Sequence, residues 1–385
     1  MKRLMKKCLA SAAMLACVGL LASCDMMEQS YEDCPSGLYV NFKYDYNLQR
    51  ADMFNDHVGS VTLYIFDEAG KLVRTQEESN IGSSAPLASP TYAMHVTGLA
   101  PGKYRFLALA GQKPYSDMLE TGRAKFIRSD MPAGSDMQDL EVQLDRTPAD
   151  KSGEFYEILD SLGIDTEGDF YNVENNGLPL DTLWHGMLTE PVEVYPESSY
   201  RVSYATVPLV RDTKQITVSL RELDDPTKMD VNDYDFAIID HNPHILWDNS
   251  LDETDAVVYR PFYTWNTDDR TPATDPDGSD LGEVGHIGHA DFMTSRLIYH
   301  DDPADDGHLI IINKSTGVAI VHLNLPDILS QLRTSESIYR YDEQEFLDRG
   351  YEYQIDVFLR GGNLAYINIS ISVLGWSKRI QFEEL

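Results

Sequence analysis

The chain has 385 residues, 63 of them acidic and 31 basic, for a formal net charge of −32, and it carries four cysteines. So acidic a surface repels phosphate backbones and anionic lipid headgroups, which excludes nucleic acid as a partner; the excess charge serves solubility. The length is enough for two or three domains with ordinary cores.

The first element is an export signal. Lys2, Arg3, Lys6 and Lys7 precede an uncharged segment from Cys8 to Ala22, the charged and apolar regions of a secretory signal. The segment is shorter than the roughly 20 residues a spanning helix needs. It ends in Leu21, Ala22, Ser23 and Cys24, and small residues before a cysteine resemble the bacterial lipobox, whose thiol is diacylated before cleavage. Residues 1–23 are therefore expected to be removed and Cys24 to carry lipid. Cleavage takes four basic residues together with Cys8 and Cys17, leaving 27 basic against 63 acidic residues and Cys34 as the one thiol. No intrachain disulfide is then available, and stability must come from core burial. Residues 24–36 form the lipidated N-terminus and tether, of which the polar stretch 25–33 reaches about 30 Å at full extension.

Strands begin at Gly37, where Leu38, Val40 and Phe42 alternate with Tyr39, Asn41 and Lys43, the period of one buried face. Residues 61–66 form a strand stopped by the turn 67–70, which leads into a partner at 71–74. Strands at 92–96 and 103–110 flank a Pro101-Gly102 turn. Residues 139–144 alternate again, and 155–162 have helical spacing within an acidic, glycine-punctuated stretch. Segments 183–186 and 193–195 close a first domain, 37–195, with a junction at 196–199. A second domain, 196–385, carries strands at 215–220, 235–239, 257–259, 296–299, 309–312, 353–359, 367–373 and 379–382, and short helices at 325–332 and 342–347. Many short strands at this spacing predict an all-β fold of two β-sandwiches in series with a few short helices.

Little in the chain points to catalysis. His241 with His244, and His286 with His289, are spaced as helical metal pairs, but Pro243 and glycines 285 and 288 place them in turns, and neither has an acidic partner at zinc-enzyme spacing. The loop from Asp275 to Asp280, with Glu283, offers hard oxygens, yet its glycine and glutamate miss the calcium-loop positions, so it reads as a solvated loop. No metal and no cofactor is expected. The chain contains no G-x-S-x-G and no phosphate-binding glycine motif after a strand. Trp184, Trp247, Trp265 and Trp376 lie in or beside strands; they are expected in the core or at sheet edges, with stacking on sugar rings as the alternative.

Residues 33–42, continued by Tyr44, Tyr46, Asn47, Asp52, Phe54 and Val58, resemble the start of the Mfa2/FimB family of fimbrial anchor subunits from Bacteroidales. Residues 61–67 with Gly70, then 99–106, 183–186, 208–216 and Gly375-Trp376, resemble later family segments in the same order. The resemblance implies two transthyretin-like, Greek-key sandwiches and a lipoprotein of the outer membrane facing outward. It also implies a palmitate-bearing anchor at the base of a fimbria, active in cell adhesion and partnered by a fimbrillin shaft subunit. Acidic residues near Cys24, namely Asp25, Glu28, Glu32 and Asp33, resemble the surface-export signal of that phylum. Shaft subunits of this kind are thought to lose an N-terminal strand by cleavage after a basic residue, opening a groove that a neighbour's strand fills. Arg50 stands at the comparable place here. Cutting there would free the first strand and sever Cys24, so an anchor is expected to stay uncut and to offer an edge or its C-terminal strand to the first shaft subunit. That strand contributes Arg379, Ile380, Gln381, Phe382 and Leu385. A surface glycan-binding lipoprotein is the alternative reading.

Overall fold

The structure, a computed structural model, describes residues 37–199, 201–269, 285–334, 340–373 and 376–383. The export signal, Cys24 and its tether, Cys34, the acidic loop 275–283 and Leu385 lie outside the described residues.

In chain order the strands are β1 (Gly37–Lys43), β2 (Ser60–Asp67), β3 (Leu72–Ser79), β4 (Met94–Val96), β5 (Gly102–Gly111), β6 (Phe126–Arg128), β7 (Val142–Leu144), β8 (Thr147–Pro148), β9 (Phe170–Asn172), β10 (Trp184–Met187), β11 (Val192–Val194) and β12 (Val202–Arg211). The second half holds β13 (Lys214–Glu222), β14 (Tyr234–Asp240), β15 (His244–Ile245), β16 (Leu251–Asp252), β17 (Ala256–Tyr259), β18 (Tyr263–Asp269), β19 (Gly285–Thr294), β20 (His308–Asn313), β21 (Val318–Asn324), β22 (Glu352–Arg360), β23 (Asn363–Val373) and β24 (Trp376–Glu383). Among the described residues five short α-helices join them: α1 (Phe54–His57), α2 (Tyr115–Leu119), α3 (Glu154–Ser161), α4 (Leu325–Ser330) and α5 (Glu343–Arg349). The expected all-β class with a few short helices is what the chain adopts.

The first sheet runs β3-β2-β5-β10-β12-β1-β4, with β11 also on β5. Its inner face buries Leu38, Val40 and Phe42 of β1 against Leu63, Ile65, Phe106 and Trp184. The sheet curls so that its two ends meet through side chains: Arg74 of β3 donates to the Thr97 carbonyl at 2.9 Å and Gln76 to the His95 carbonyl at 3.2 Å. These bonds cover the polar edge of the three-residue strand β4, a common protection for a sheet edge. Gly186 is required where β10 runs beside β12, since a Cβ there would sit 2.5 Å from the Pro208 carbonyl oxygen.

A second sheet, β18-β19-β13-β22-β23-β24, faces a third, β21-β20-β14-β17-β9-β8. Ile216, Val218, Ile355 and Val357 of the second meet Ile238, Val257, Leu309 and Ile311 of the third in one core. The other side of the third sheet, Ala237, Ile239, Val258 and Ile310, is covered by Tyr156 and Leu159 of α3. A small sheet, β16-β15-β7-β6, lines the same large core with Leu107 and Leu109 of the first sheet.

Strand pairing does not divide at residue 195/196. β12 lies beyond that point yet pairs in parallel with β1 and antiparallel with β10, while β7 and β9 lie before it and pair with β15 and β17. Alternation reveals which face of a strand is buried, not which partner it finds. The expected strand at 296–299 is instead a loop strapped to α5, where Arg296 binds Asp348 and the Tyr299 amide donates to Gln344. The histidines expected in turns partly lie in strands: β15 starts at His244, and β19 includes His286 and His289.

The sheets are joined at the turn from β12 to β13. Arg211, Asp212, Thr213 and Lys214 are all buried there. The Lys214 ammonium donates to the carbonyls of Leu347 at 2.6 Å, Gly350 at 2.9 Å and Asp348 at 3.2 Å, the C-terminal end of α5, where a cation is favoured. Arg296 clamps Asp348 with two bonds of 2.7 Å and also reaches the Asn249 carbonyl, while Asn249 donates to Asp212 at 3.1 Å. Burial pushes Asp212 up and Lys214 down; Arg296 and Lys214 draw Asp212 back down, and Asp348 and Asp212 draw Lys214 back up. Replacing Lys214 by Met leaves the α5 carbonyls without a donor, and should cost about 3 kcal/mol or more of unfolding free energy in a denaturant titration.

His185, buried on β10, bonds the Trp247 carbonyl through Nε2 at 2.9 Å. Burial pushes its pKa down to about 4, below the unfolded value near 6.5. The ring is therefore neutral in the fold, and the unfolded chain takes up the extra proton as pH falls from 6.5 toward 4. Wild type should lose up to about 3 kcal/mol from this group over that window. His185→Gln keeps the donor without the titration, so its stability deficit relative to wild type should shrink between pH 7 and pH 4, as read by melting temperature.

Candidate functional site

β1 is an interior strand. It pairs in parallel with β12 over seven residue pairs, Gly37 with Val202 through Lys43 with Pro208, and antiparallel with β4 on its other side. Pro208 stands where β12 passes from β1 to β10, so its missing N–H falls at the end of both ladders, where it costs little. Any chain attached before Gly37 is thus continuous with a strand held on both edges.

The turn that follows β1 is braced atom by atom. Tyr44 is fully buried and meets Trp184 edge to face, with ring centroids 5.8 Å apart. The Asn47 amide, also fully buried, donates to the carbonyls of Tyr44 and Ala51, both at 2.8 Å. Asp52 accepts from the amides of Tyr44 at 3.0 Å and Phe54 at 3.1 Å. Phe54 stacks on Phe42 at 5.6 Å, and Val58 completes the same core. The residues after β1 that opened the family resemblance, Tyr44, Asn47, Asp52, Phe54 and Val58, therefore converge on one joint.

This joint also grips the C-terminal half. Gln49 donates to the Tyr351 hydroxyl at 2.9 Å, and Arg50 Nε to that of Tyr341 at 2.8 Å. Arg349, at the end of α5, lies over the rings of Tyr46 at 3.9 Å and Tyr341 at 4.6 Å. Arg211 lies 4.4 Å from the Tyr351 ring centroid. Arg50 itself is exposed but holds a left-handed backbone with φ 54°, uncommon for a residue other than glycine. Its amide returns to the Asn47 carbonyl at 3.2 Å. Proteases favour loose loop tips; this one is tied on both sides. Sequence reasoning singled out Arg50 for its charge and position, and missed Tyr341, Arg349 and Tyr351, which lie about 300 residues away in the chain and share no local pattern with it.

At the other terminus, β24 forms the edge of the second sheet. It pairs antiparallel with β23 from Trp376 opposite Val373 to Glu383 opposite Tyr366, and among the described residues β23 is its one strand neighbour. Arg379, Ile380, Gln381 and Phe382 therefore lie on a strand with one main-chain edge unpaired within the sheet, while Leu385 lies outside the described residues. The opposite edge of that sheet is β18.

The remaining constellations are accounted for by neighbours. His244 binds Glu141 at 3.0 Å and approaches Asp252 at 3.5 Å. His289 takes part in a hydrogen bond with Thr267 and stacks on Trp265. Among the described residues no group of three His, Cys, Asp or Glu side chains is placed to hold one metal ion. Trp184 lies in the core of the first sheet and Trp247 packs against the larger core between the second and third, whereas Trp265 lies on the edge strand β18.

Comparison with solved structures gives the same architecture. A candidate adhesin from Bacteroides thetaiotaomicron is 26% identical, with a TM-score of 0.65 over 90% of this chain and 98% of that one. A candidate polysaccharide-binding protein from the same species is 28% identical, with a TM-score of 0.60 over 90% and 99%. The fimbrial anchor protein Mfa2 from Porphyromonas gingivalis, at 16% identity, shares the fold with a TM-score of 0.55 over 91% and 100%. No curated protein matches the sequence. The family model for fimbrillin-A associated anchor proteins Mfa1 and Mfa2 matches residues 31–382, nearly the whole chain, and the protein therefore belongs to that family, whose role is structural and fimbria-associated.

Proposed function

We propose that this protein is an outer-membrane lipoprotein that fixes the base of a fimbria to the cell surface. In this reading it is tethered through lipid on Cys24 and engages a fimbrillin shaft subunit by strand addition. The observation that carries this reading is the setting of β1. The strand next to the tether is paired on both sides, and the turn after it is bound to Tyr341 and Tyr351 of the C-terminal half. Load applied to the N-terminus would enter a parallel ladder along its length, so that several hydrogen bonds resist together. Two acyl chains on Cys24, at ~0.8 kcal/mol per buried CH₂, hold such a protein in the bilayer essentially permanently. Cell-surface location in the fimbrium and cell adhesion follow from the same anchoring.

The partner strand needs an open edge, and β24 supports that role because its outer main-chain groups have no strand neighbour among the described residues. Strand addition takes its affinity from main-chain hydrogen bonds and its selectivity from alternate side chains.

Three outcomes test this. Cys24→Ala should fold normally and appear in the culture medium, with fimbriae shed alongside it. Fimbria-associated wild-type chains should retain residues 24–50 by mass spectrometry, and chains beginning at Ala51 would refute uncut anchoring. Truncation after Val373 should reduce copurified shaft subunit by about tenfold or more, equivalent to about 1.4 kcal/mol, with the melting transition of the rest retained. Undiminished copurification would move the docking edge away from β24.

A further inference from the structure

The outward face of the second sheet aligns polar and aromatic side chains in one row across five strands. Ile216, Val218 and Leu220 of β13 point into the core, so the alternate residues Gln215, Thr217 and Ser219 face out. Register places Tyr263, Asp291, Thr217, Gln354 and Ser370 in one row across β18, β19, β13, β22 and β23. That row spans about 19 Å at roughly 4.8 Å per strand.

One end of the row is aromatic. Tyr263 is 58% exposed and stacks on Trp265 with centroids 5.0 Å apart, and Trp265 stacks on His289 at 4.8 Å. Thr267, bonded to His289 at 2.8 Å, fixes that ring. The other end is a shallow cavity of about 180 Å³ lined by Gln215, Thr217, Glu352, Tyr353, Gln354 and Ser370. Thr217 donates to Asp291 at 2.7 Å, and Gln354 to Asp356 at 2.8 Å, which holds these two side chains in place. Among the described residues, Gln215, Glu352 and Ser370 have no side-chain hydrogen bond, so the cavity wall keeps amide, carboxylate and hydroxyl groups available.

We propose that this face binds a neutral oligosaccharide, one pyranose ring resting on the exposed Tyr263 ring, which Trp265 backs, and a unit further along the same glycan seated in the Gln215–Gln354 cavity. The chemistry of the two ends matches the two sides of a sugar: an aromatic surface for C–H faces, and amide and carboxylate groups for adjacent hydroxyls. Charge selects against acidic glycans and other anions. The row and its border carry Asp291 and Glu352 on a chain of net charge −32, and Arg221 at the border is paired to Asp269 at 3.1 Å. The cavity holds a single ring, and the row has length for several. This assignment stands apart from the anchoring role, because it uses neither Cys24 nor β24.

The test is an array of short neutral gluco-, galacto- and manno-oligosaccharides with uronate-containing glycans beside them, probed with the full chain in detergent. Retention on at least one neutral series and none on the uronates is expected. Trp265→Ala and Gln354→Ala should each weaken that binding about tenfold or more with unchanged melting temperature. Should Trp265→Ala fold poorly, Tyr263→Ala, at an exposed position, reads the same contact. No retention on any neutral glycan, equal binding by the folded variants, or preference for uronates would overturn the assignment. So would loss of shaft-subunit binding in the same variants without any glycan binding, since the face would then be a protein interface.

Discussion

The Lys214 ammonium is the point on which the two halves of the molecule depend. It is fully buried, with a charge that burial penalises heavily. Its compensation is the end of α5, where carbonyls that a helix leaves without partners converge on it. Neither group is tolerable alone, so the position of α5 relative to the β12–β13 turn is fixed by both. The Asp348 carboxylate, clamped by Arg296, adds an ion pair to a network in which Asn249 donates to Asp212.

The same network explains why the N-terminal strand is coupled to the far end of the chain. Arg349 closes α5 and covers Tyr46 and Tyr341, and Tyr351 lies between Arg211 and Gln49. The turn after β1 therefore rests on residues that Lys214 has already placed. Under the proposed anchoring, tension on the tether is shared between the β1–β12 ladder and this joint.

Much of the fold was legible from local pattern. The alternation at Leu38, Val40 and Phe42 became β1 with those three side chains inward, and the helical spacing at 155–162 became α3. Asp342, read as a helix start, caps α5 by accepting the Glu345 amide at 2.7 Å. What local pattern did not yield was pairing. Residues 202–211 alternate as cleanly as β1, burying Ser203, Ala205, Val207 and Leu209, but Pro208 and the position next to an expected junction disguised them. The loop at 296–299 carries strand-like residues, yet its polar groups are taken by Asp348 and Gln344, partners about 50 residues away. At the candidate site, Tyr44, Asn47 and Asp52 were visible as family positions, whereas their reason for being there appears only once Trp184, Arg211 and Tyr351 are brought beside them.

The energetic consequence of β1 sets the terms for any strand exchange. Leu38, Val40 and Phe42 are at most 5% exposed, and each is worth about 1.5–3 kcal/mol of burial. Removing the strand would therefore strip roughly 5–9 kcal/mol of apolar burial, comparable to the whole stability of an ordinary domain. It would also leave facing edges of β12 and β4 without partners. A first sheet without β1 is thus viable only with another strand in its place. Under the proposed anchoring, a chain that keeps β1 has that groove filled from within, and its partner would be met elsewhere, at an edge such as β24. Whether the peptide bond after Arg50 survives therefore decides more than attachment: it determines which end of the protein is free to accept a neighbour.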